Sequence, residues 1–106
     1  DMLYGHRRDA AGYAAALENT DIFLADLLPR LTKGDCLIIT ADHGNDPTFH
    51  GTDHTREFVP LLMYRPGRPA QCLGIRQGFF DIAQTVTALY KAPPMPRGIS
   101  IIDGAY

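Results

Sequence analysis

Several features are scarce or missing in this chain of 106 residues. It has no tryptophan, and its two cysteines do not form a CxxC pair. There is thus no disulfide framework, and we expect Cys36 and Cys72 to be reduced thiols in apolar surroundings. No apolar run approaches the roughly 20 residues that a membrane-spanning helix needs. The sequence does not open with a signal-peptide layout, so a cytoplasmic location is expected.

The chain also has little excess of either positive or negative charge. The formal net charge is -2, and no cluster of lysine and arginine is denser than Arg7 and Arg8. Binding to nucleic acid or to an anionic membrane would need a basic patch, so we expect neither partner. The hydrophobic share of 45% and the charged share of 21% are typical of a globular protein with one modest core. Because Asp1 stands where a methionine would, we expect a piece of a longer chain.

The spacing of apolar residues predicts helices and strands in alternation. A spacing of three or four predicts an amphipathic helix over about residues 10–32, with Asp9 as its N-cap and Pro29 disturbing its last turn. The continuous apolar run at 36–41 predicts a strand buried on both faces, as in a parallel α/β sheet. A second strand is expected at 58–64, with Pro60 at its start or on an exposed side.

The remaining segments add further predicted elements, and all of them together give an incomplete α/β layer. Residues 72–75 and 99–102 are each expected to form a short strand, and an apolar stripe at 79–90 predicts a second helix. The proline-rich segment at 93–96 is expected to be extended. Residues 42–57 show neither the helical nor the strand periodicity of apolar residues. A loop of this length in a compact domain is usually functional or disordered.

Polar residues follow the strand predicted at 36–41 directly. Asp42 and His43 come at its carboxyl end, where open α/β sheets place their binding sites. An oxygen donor beside a nitrogen donor suits Mn²⁺ or Zn²⁺ better than Ca²⁺ or Mg²⁺. Taken alone, the pair could equally be an ordinary strand-end turn. The candidate ligands of the whole chain, all in loops at or near predicted strand ends, are Asp1, His6, Asp42, His43 and His54.

Three segments of the sequence resemble one enzyme family. They read DMLYGHRRD at 1–9, TADHGNDPT at 40–48 and GTDHTRE at 51–57, and together they closely resemble the bacterial phosphopentomutases. ADHGN alone also resembles cofactor-independent phosphoglycerate mutases. In those enzymes the two ligands of the first motif are four residues apart, whereas Asp1 and His6 are five apart.

The resemblance implies a fold and an activity. It corresponds to the C-terminal part of an alkaline-phosphatase-like core, a three-layer α/β domain with a mostly parallel sheet and flanking helices. The N-terminal core segment and the cap domain of the family would be absent from residues 1–106. The implied reaction interconverts the 1-phosphate and 5-phosphate of ribose or deoxyribose, a pentose phosphate being the substrate.

The resemblance also implies roles for individual residues. Two Mn²⁺ ions are expected, one held by Asp42 and His43 and the other by Asp1, His6 and His54. The phosphorylated threonine of the family and a further aspartate ligand would lie upstream, so no catalytic nucleophile is expected here. The isolated chain is therefore expected to be inactive.

Polar residues near the ligands remain open to two interpretations. Asn45 and Asp46 could orient ligands or simply stabilise a turn. Asp53 could hold the His54 imidazole, and Arg56 could contact phosphate, although both could also be solvated loop residues. Glu57, Arg7 and Arg8 are open in the same way, whereas His50 matches no ligand position and is expected to be a surface histidine.

Two other functions stay in competition with the first. One is a phosphoglycerate mutase or phosphatase on the same scaffold, and the other is a metal-binding module without catalytic activity. An open sheet edge left by missing strands would also favour dimerisation through strand pairing.

Overall fold

The structure of this chain, a computed structural model, describes residues 1–102. They belong to two units, Asp1–Arg68 and Pro69–Tyr106. The first unit contains helix α1 (Ala10–Leu27), a short 3-10 helix (Leu28–Arg30) and strands β1 (Leu37–Thr40) and β2 (Leu61–Tyr64). The second contains helix α2 (Phe80–Leu89). The predicted α/β class is confirmed.

Helix α1 begins and ends where its sequence dictates. The Asp9 carboxylate accepts a hydrogen bond of 2.9 Å from the Gly12 amide, as expected of an N-cap. The α-helix ends at Leu27 and not near residue 32, because Pro29 cannot donate to an α-helical ladder and starts a 3-10 turn instead.

The apolar face of α1 is only partly covered. Tyr13, Leu24 and Leu27 are half-buried, whereas Ile22 and Phe23 are exposed. No residue of α1 is fully buried, and within residues 1–68 the helix packs against neither strand. The predicted amphipathic helix exists, but its stripe does not cover the sheet.

Strands β1 and β2 form an antiparallel pair. Their register runs from Leu37 opposite Tyr64 to Thr40 opposite Leu61. The parallel sheet expected for the run at 36–41 is therefore not what the two strands form with each other. A parallel neighbour requires a crossover connection, usually helical, and the connection from β1 to β2 has no helix and doubles back.

The burial of β1 also differs from the prediction. Leu37, Ile38 and Ile39 are half-buried and Thr40 is exposed, because no helix of the first unit covers this sheet. Strand β2 starts directly after Pro60, as expected for a residue without an amide donor. Within residues 1–102 both outer edges of the sheet are unpaired.

The second unit is organised by polar side chains of α2. Asp81 and Thr85 are buried, whereas Phe79, Val86 and Tyr90 of the predicted apolar stripe are exposed. The Asp81 carboxylate accepts from the Ile99 amide and the Thr85 hydroxyl from the Ile101 amide, both at 2.9 Å.

Two predicted strands of this unit are absent. Residues 99–102 are not a strand, because the amides of Ile99 and Ile101 bond to side chains of α2 and the Ile102 amide bonds to the Ser100 hydroxyl. Residues 72–75 are not a strand because Gly74 has a φ of +65°, which breaks an extended backbone. The segment at 93–96 contains no helix, as predicted.

The two cysteines are free and differ in exposure. Cys36 is half-buried, and burial raises the pKa of its thiol while the nearby Arg65 charge acts in the opposite direction. Cys72 is exposed, so the expectation that both thiols lie in apolar surroundings is wrong for Cys72. No helix within residues 1–102 combines the length and apolar character needed to cross a membrane.

Candidate metal centre

The connection between β1 and β2 folds back on itself. Gly44 and Thr55 form an isolated antiparallel bridge, in which the Thr55 amide donates to the Gly44 carbonyl at 3.1 Å. His43 precedes Gly44 and His54 precedes Thr55, so the bridge places the two imidazoles side by side. Their ring centroids lie 3.5 Å apart with an interplanar angle of 17°.

The N-terminal loop adds two further candidate ligands to this pair. The amides of Gly5 and His6 donate to the Asp1 carbonyl at 2.8 and 3.2 Å, which closes the tight bend. The Asp1 Oδ2 atom then lies 3.3 Å from His6 Nε2 and 3.8 Å from His54 Nε2. A loop at the start of the sequence thereby meets the loop that follows β1.

Four of the five predicted ligands are brought together. Single donor atoms of Asp1, His43 and His54 lie within 4.8 Å of one another. His6 joins this group through Asp1, and its ring centroid is 4.9 Å from that of His54. Asp42 lies at the margin: its Oδ1 is 3.6 Å from His43 Nε2, and its side chain is 88% exposed.

Hydrogen bonds to the backbone decide which imidazole nitrogens face the cluster. His6 Nδ1 contacts the Thr52 carbonyl, and His43 Nδ1 contacts the Gly44 carbonyl at 3.1 Å. A carbonyl oxygen only accepts, so each Nδ1 carries a hydrogen, and each Nε2 is the ring nitrogen left to face the cluster. A ring nitrogen bonded in this way leaves the other nitrogen oriented for a metal.

The chemistry of this donor set fits a divalent cation. Three imidazoles lie beside the Asp1 carboxylate, with the Asp42 carboxylate at the margin, and nitrogen and oxygen lone pairs brought together in this way repel unless a proton or a metal ion lies between them. Imidazole nitrogen together with carboxylate oxygen suits Mn²⁺ or Zn²⁺. The residues present therefore fit a metal centre.

The neighbouring polar residues have separate contacts. The Asn45 side-chain amide donates to Asp1 Oδ1. Asp46 Oδ1 accepts from the amide and the hydroxyl of Thr48, at 2.8 and 2.7 Å, and these bonds hold the pKa of Asp46 below its usual value. Asn45 thus contacts a candidate ligand, whereas Asp46 stabilises its own turn.

Residues after His54 contribute in a way that the sequence did not indicate. The Thr55 hydroxyl donates to Glu57 Oε2 at 2.7 Å and accepts from the Asp46 amide at 2.7 Å. Arg56 lines a shallow cavity together with Asp42 and His43, and Asp53 is exposed. The only signal for Thr55 was its place directly after a histidine, as Gly44 directly follows His43.

Comparison with known proteins extends this description. The family model of the Metalloenzyme superfamily matches residues 1–94. The chain belongs to this superfamily.

Curated relatives of the chain include proteins named phosphopentomutase. Proteins named phosphopentomutase from Allorhizobium ampelinum, Sinorhizobium medicae and Pectobacterium atrosepticum are 52%, 56% and 55% identical over 102 residues. Each alignment covers 96% of this chain and 25% of the relative. The resemblance carried by the three motifs is therefore confirmed, and the chain spans about a quarter of the length of the curated relatives it matches.

Membership of the Metalloenzyme superfamily implies metal ions.

The connection between β1 and β2 has two antiparallel limbs, an outgoing one that contains Gly44 and a returning one that contains Thr55. Because Gly44 has no side chain, the two limbs can approach each other closely. A Cβ at this position would lie 2.1 Å from Glu57 Oε2 and 2.6 Å from the Thr55 carbonyl oxygen. The carbonyl belongs to the backbone, so it cannot swing away as a side chain would.

We expect Gly44→Ala to destabilise the chain. Forcing a methyl group into a closed contact costs about 1–3 kcal/mol, and here it would also separate Gly44 from Thr55. Gly34→Ala is the matched control, since its Cβ would meet only Thr32 Oγ1 at 4.0 Å. Urea unfolding followed by circular dichroism measures both variants, and equal stabilities would contradict the close approach at Gly44.

Proposed function

We propose that this chain is the metal-ligand segment of a phosphopentomutase, an enzyme that interconverts the 1-phosphate and 5-phosphate of ribose or deoxyribose. The observation that carries the proposal is the convergence of Asp1, His43 and His54 within 4.8 Å, with His6 beside Asp1. These residues come from the three motifs that resemble the family, and the relatives that bear its name are about half identical to this chain.

The proposed cofactors are two Mn²⁺ ions. Asp42 and His43 would hold one ion, and Asp1, His6 and His54 would hold the other. When bound, such ions offset the charge that develops on a transferring phosphoryl group and lower the pKa of a hydroxyl nucleophile. The support from this chain is that hydrogen bonds to Thr52 and Gly44 leave Nε2 of His6 and His43 free for a metal.

We propose that Arg56 contacts the pentose phosphate. Arg56 lines the same cavity as Asp42 and His43, and its guanidinium group can bind two phosphate oxygens at once. Arg7 and Arg8 are exposed on the N-terminal loop, and Asp53 is exposed beside His54. We assign a substrate contact to Arg56 alone, because it shares a cavity with two candidate ligands.

The nucleophile is proposed to lie outside residues 1–106. Thr48 and Thr55 use their hydroxyls in bonds to Asp46 and Glu57, and neither matches the nucleophile motif of the family. The chain would be the C-terminal part of the catalytic core, and the remaining core segment and the cap domain would supply the nucleophilic threonine, a further aspartate ligand and the sugar pocket. A cytoplasmic location, dimerisation of the chain and the absence of nucleic-acid and membrane partners stay predictions from the sequence.

A metal-binding module without catalytic activity is the second candidate. The observation that favours it is that the chain gathers metal ligands without a matching nucleophile. Both candidates require metal binding, and only the first requires phosphoryl transfer, so two measurements separate them.

The first measurement concerns the metal. We expect His54→Ala and His6→Ala each to weaken Mn²⁺ binding to the 106-residue chain by at least about tenfold. Residues that merely orient a ligand are worth about 10–100-fold in metal affinity, so the loss of a ligand should cost no less. Isothermal titration calorimetry with Mn²⁺ gives the affinities.

His50→Ala is the matched control for the metal titration. This histidine lies in the same loop and stacks on Phe49, with ring centroids 4.4 Å apart, so its loss should leave Mn²⁺ affinity unchanged. Affinities that respond equally to all three histidine substitutions would refute the assignment of ligands.

The second measurement concerns activity. We expect the chain to be active when it replaces the corresponding segment of the Pectobacterium atrosepticum relative, with which it shares 55% identity over 102 residues. The readout is interconversion of ribose 1-phosphate and ribose 5-phosphate with Mn²⁺ present. In this chimera Asp42→Asn should lower turnover at least about a thousandfold, because metal-based charge stabilisation is worth several kcal/mol.

Two comparisons control the activity measurement. Asp21→Asn removes a carboxylate from the exposed side of α1 and should leave turnover unchanged. The chain alone should show no turnover. A folded but inactive chimera would favour the metal-binding module, and activity of the chain alone would show that it holds its own nucleophile.

A further inference from the structure

We propose that Thr55 is a positioning residue, whose hydroxyl holds the His43 and His54 rings face to face. The inference rests on the proposed function only in taking these rings as metal ligands. Thr55 itself is half-buried and is not assigned as a ligand.

The side chain of Thr55 joins the two limbs of the loop. Its hydroxyl accepts from the Asp46 amide on the outgoing limb and donates to the Glu57 carboxylate on the returning limb, both at 2.7 Å. One small group thus uses its hydrogen and a lone pair in bonds to residues on opposite limbs. Thr55 itself belongs to the returning limb, so its bond to the Asp46 amide spans the loop, and the bond to Glu57, two residues further along the same limb, orients the hydroxyl.

The backbone of Thr55 then sets the orientation of one ring. Its amide donates to the Gly44 carbonyl at 3.1 Å, and the same carbonyl contacts His43 Nδ1 at 3.1 Å. A single oxygen therefore links Thr55 to the imidazole of His43. A shift of Thr55 would move this oxygen, and the His43 ring would lose the bond that keeps its Nε2 towards the cluster.

The position of the His54 ring is tied to Thr55 by the covalent chain. His54 is covalently attached to Thr55, and its ring stacks on that of His43 with centroids 3.5 Å apart. Holding Thr55 against Gly44 therefore holds both imidazoles. The carboxylate of Asp1 lies 3.8 Å from His54 Nε2, so displacement of His54 would also separate it from Asp1.

Substitutions that differ by one group test this role. Thr55→Val keeps the branched shape and removes the hydroxyl, whereas Thr55→Ser keeps the hydroxyl and removes a methyl group. Thr48→Val is the control, since it deletes a hydroxyl of the same loop that also bonds at 2.7 Å but reaches only Asp46. All three are compared with the unaltered chain of 106 residues.

The first readout needs no metal. Nuclear Overhauser effects between ring protons of His43 and His54, measured in the metal-free chain, report the stacking. We expect Thr55→Val to lose these effects, and Thr55→Ser and Thr48→Val to keep them. The second readout is Mn²⁺ affinity by calorimetry, where Thr55→Val should bind at least about tenfold more weakly, as for other residues that orient ligands.

The outcomes separate this inference from the proposed function. Retained ring contacts in Thr55→Val, or a loss in Thr55→Ser as large as in Thr55→Val, would overturn the role of Thr55. An unaltered chain without Mn²⁺ affinity would refute the metal proposal, and the ring contacts would still decide the role of Thr55. If Thr55→Val does not fold, Thr55→Ala also removes the hydroxyl, and unchanged ring contacts in that variant would equally overturn the inference.

Discussion

The candidate metal centre depends on the pairing of Gly44 with Thr55. This bridge turns a connection without helix or strand into two antiparallel limbs and sets His43 beside His54. The close approach is possible because Gly44 has no side chain. The Thr55 hydroxyl bonds across the loop to the Asp46 amide and along its own limb to Glu57. The N-terminal loop completes the cluster, where Asp1 meets His6 and His54. The candidate metal centre is thus built from two loops rather than from the sheet.

The backbone also determines the chemistry of the cluster. Carbonyl groups of Thr52 and Gly44 each accept from a ring Nδ1, so Nε2 of His6 and His43 face the carboxylates. Imidazole nitrogens and carboxylate oxygens that face one another in this way are stabilised by a proton or a metal ion between them. The superfamily to which the chain belongs supplies the same conclusion from sequence, because its members are metalloenzymes.

The motifs predicted which polar side chains come together better than the periodicities predicted the fold. Side-chain chemistry and spacing identified Asp1, His43 and His54, which converge. Burial and strand pairing depend on which neighbours are present, so the apolar run of β1 suggested a buried parallel strand, whereas β1 is half-buried and antiparallel to β2. The only local signal for Thr55 was its place after a histidine, because a hydroxyl that bonds across a loop has a defined partner only once the loop has folded.

The central claim is that the histidines of this cluster bind a metal through Nε2. Titration with Zn²⁺, a diamagnetic substitute for Mn²⁺, while following the ring ¹⁵N signals tests it directly. The account predicts that Nε2 of His6, His43 and His54 shifts, that Nδ1 of His6 and His43 keeps its proton, and that His50 does not respond. Coordination through Nδ1 of His6 or His43, or a response of His50 before the other three, would contradict it.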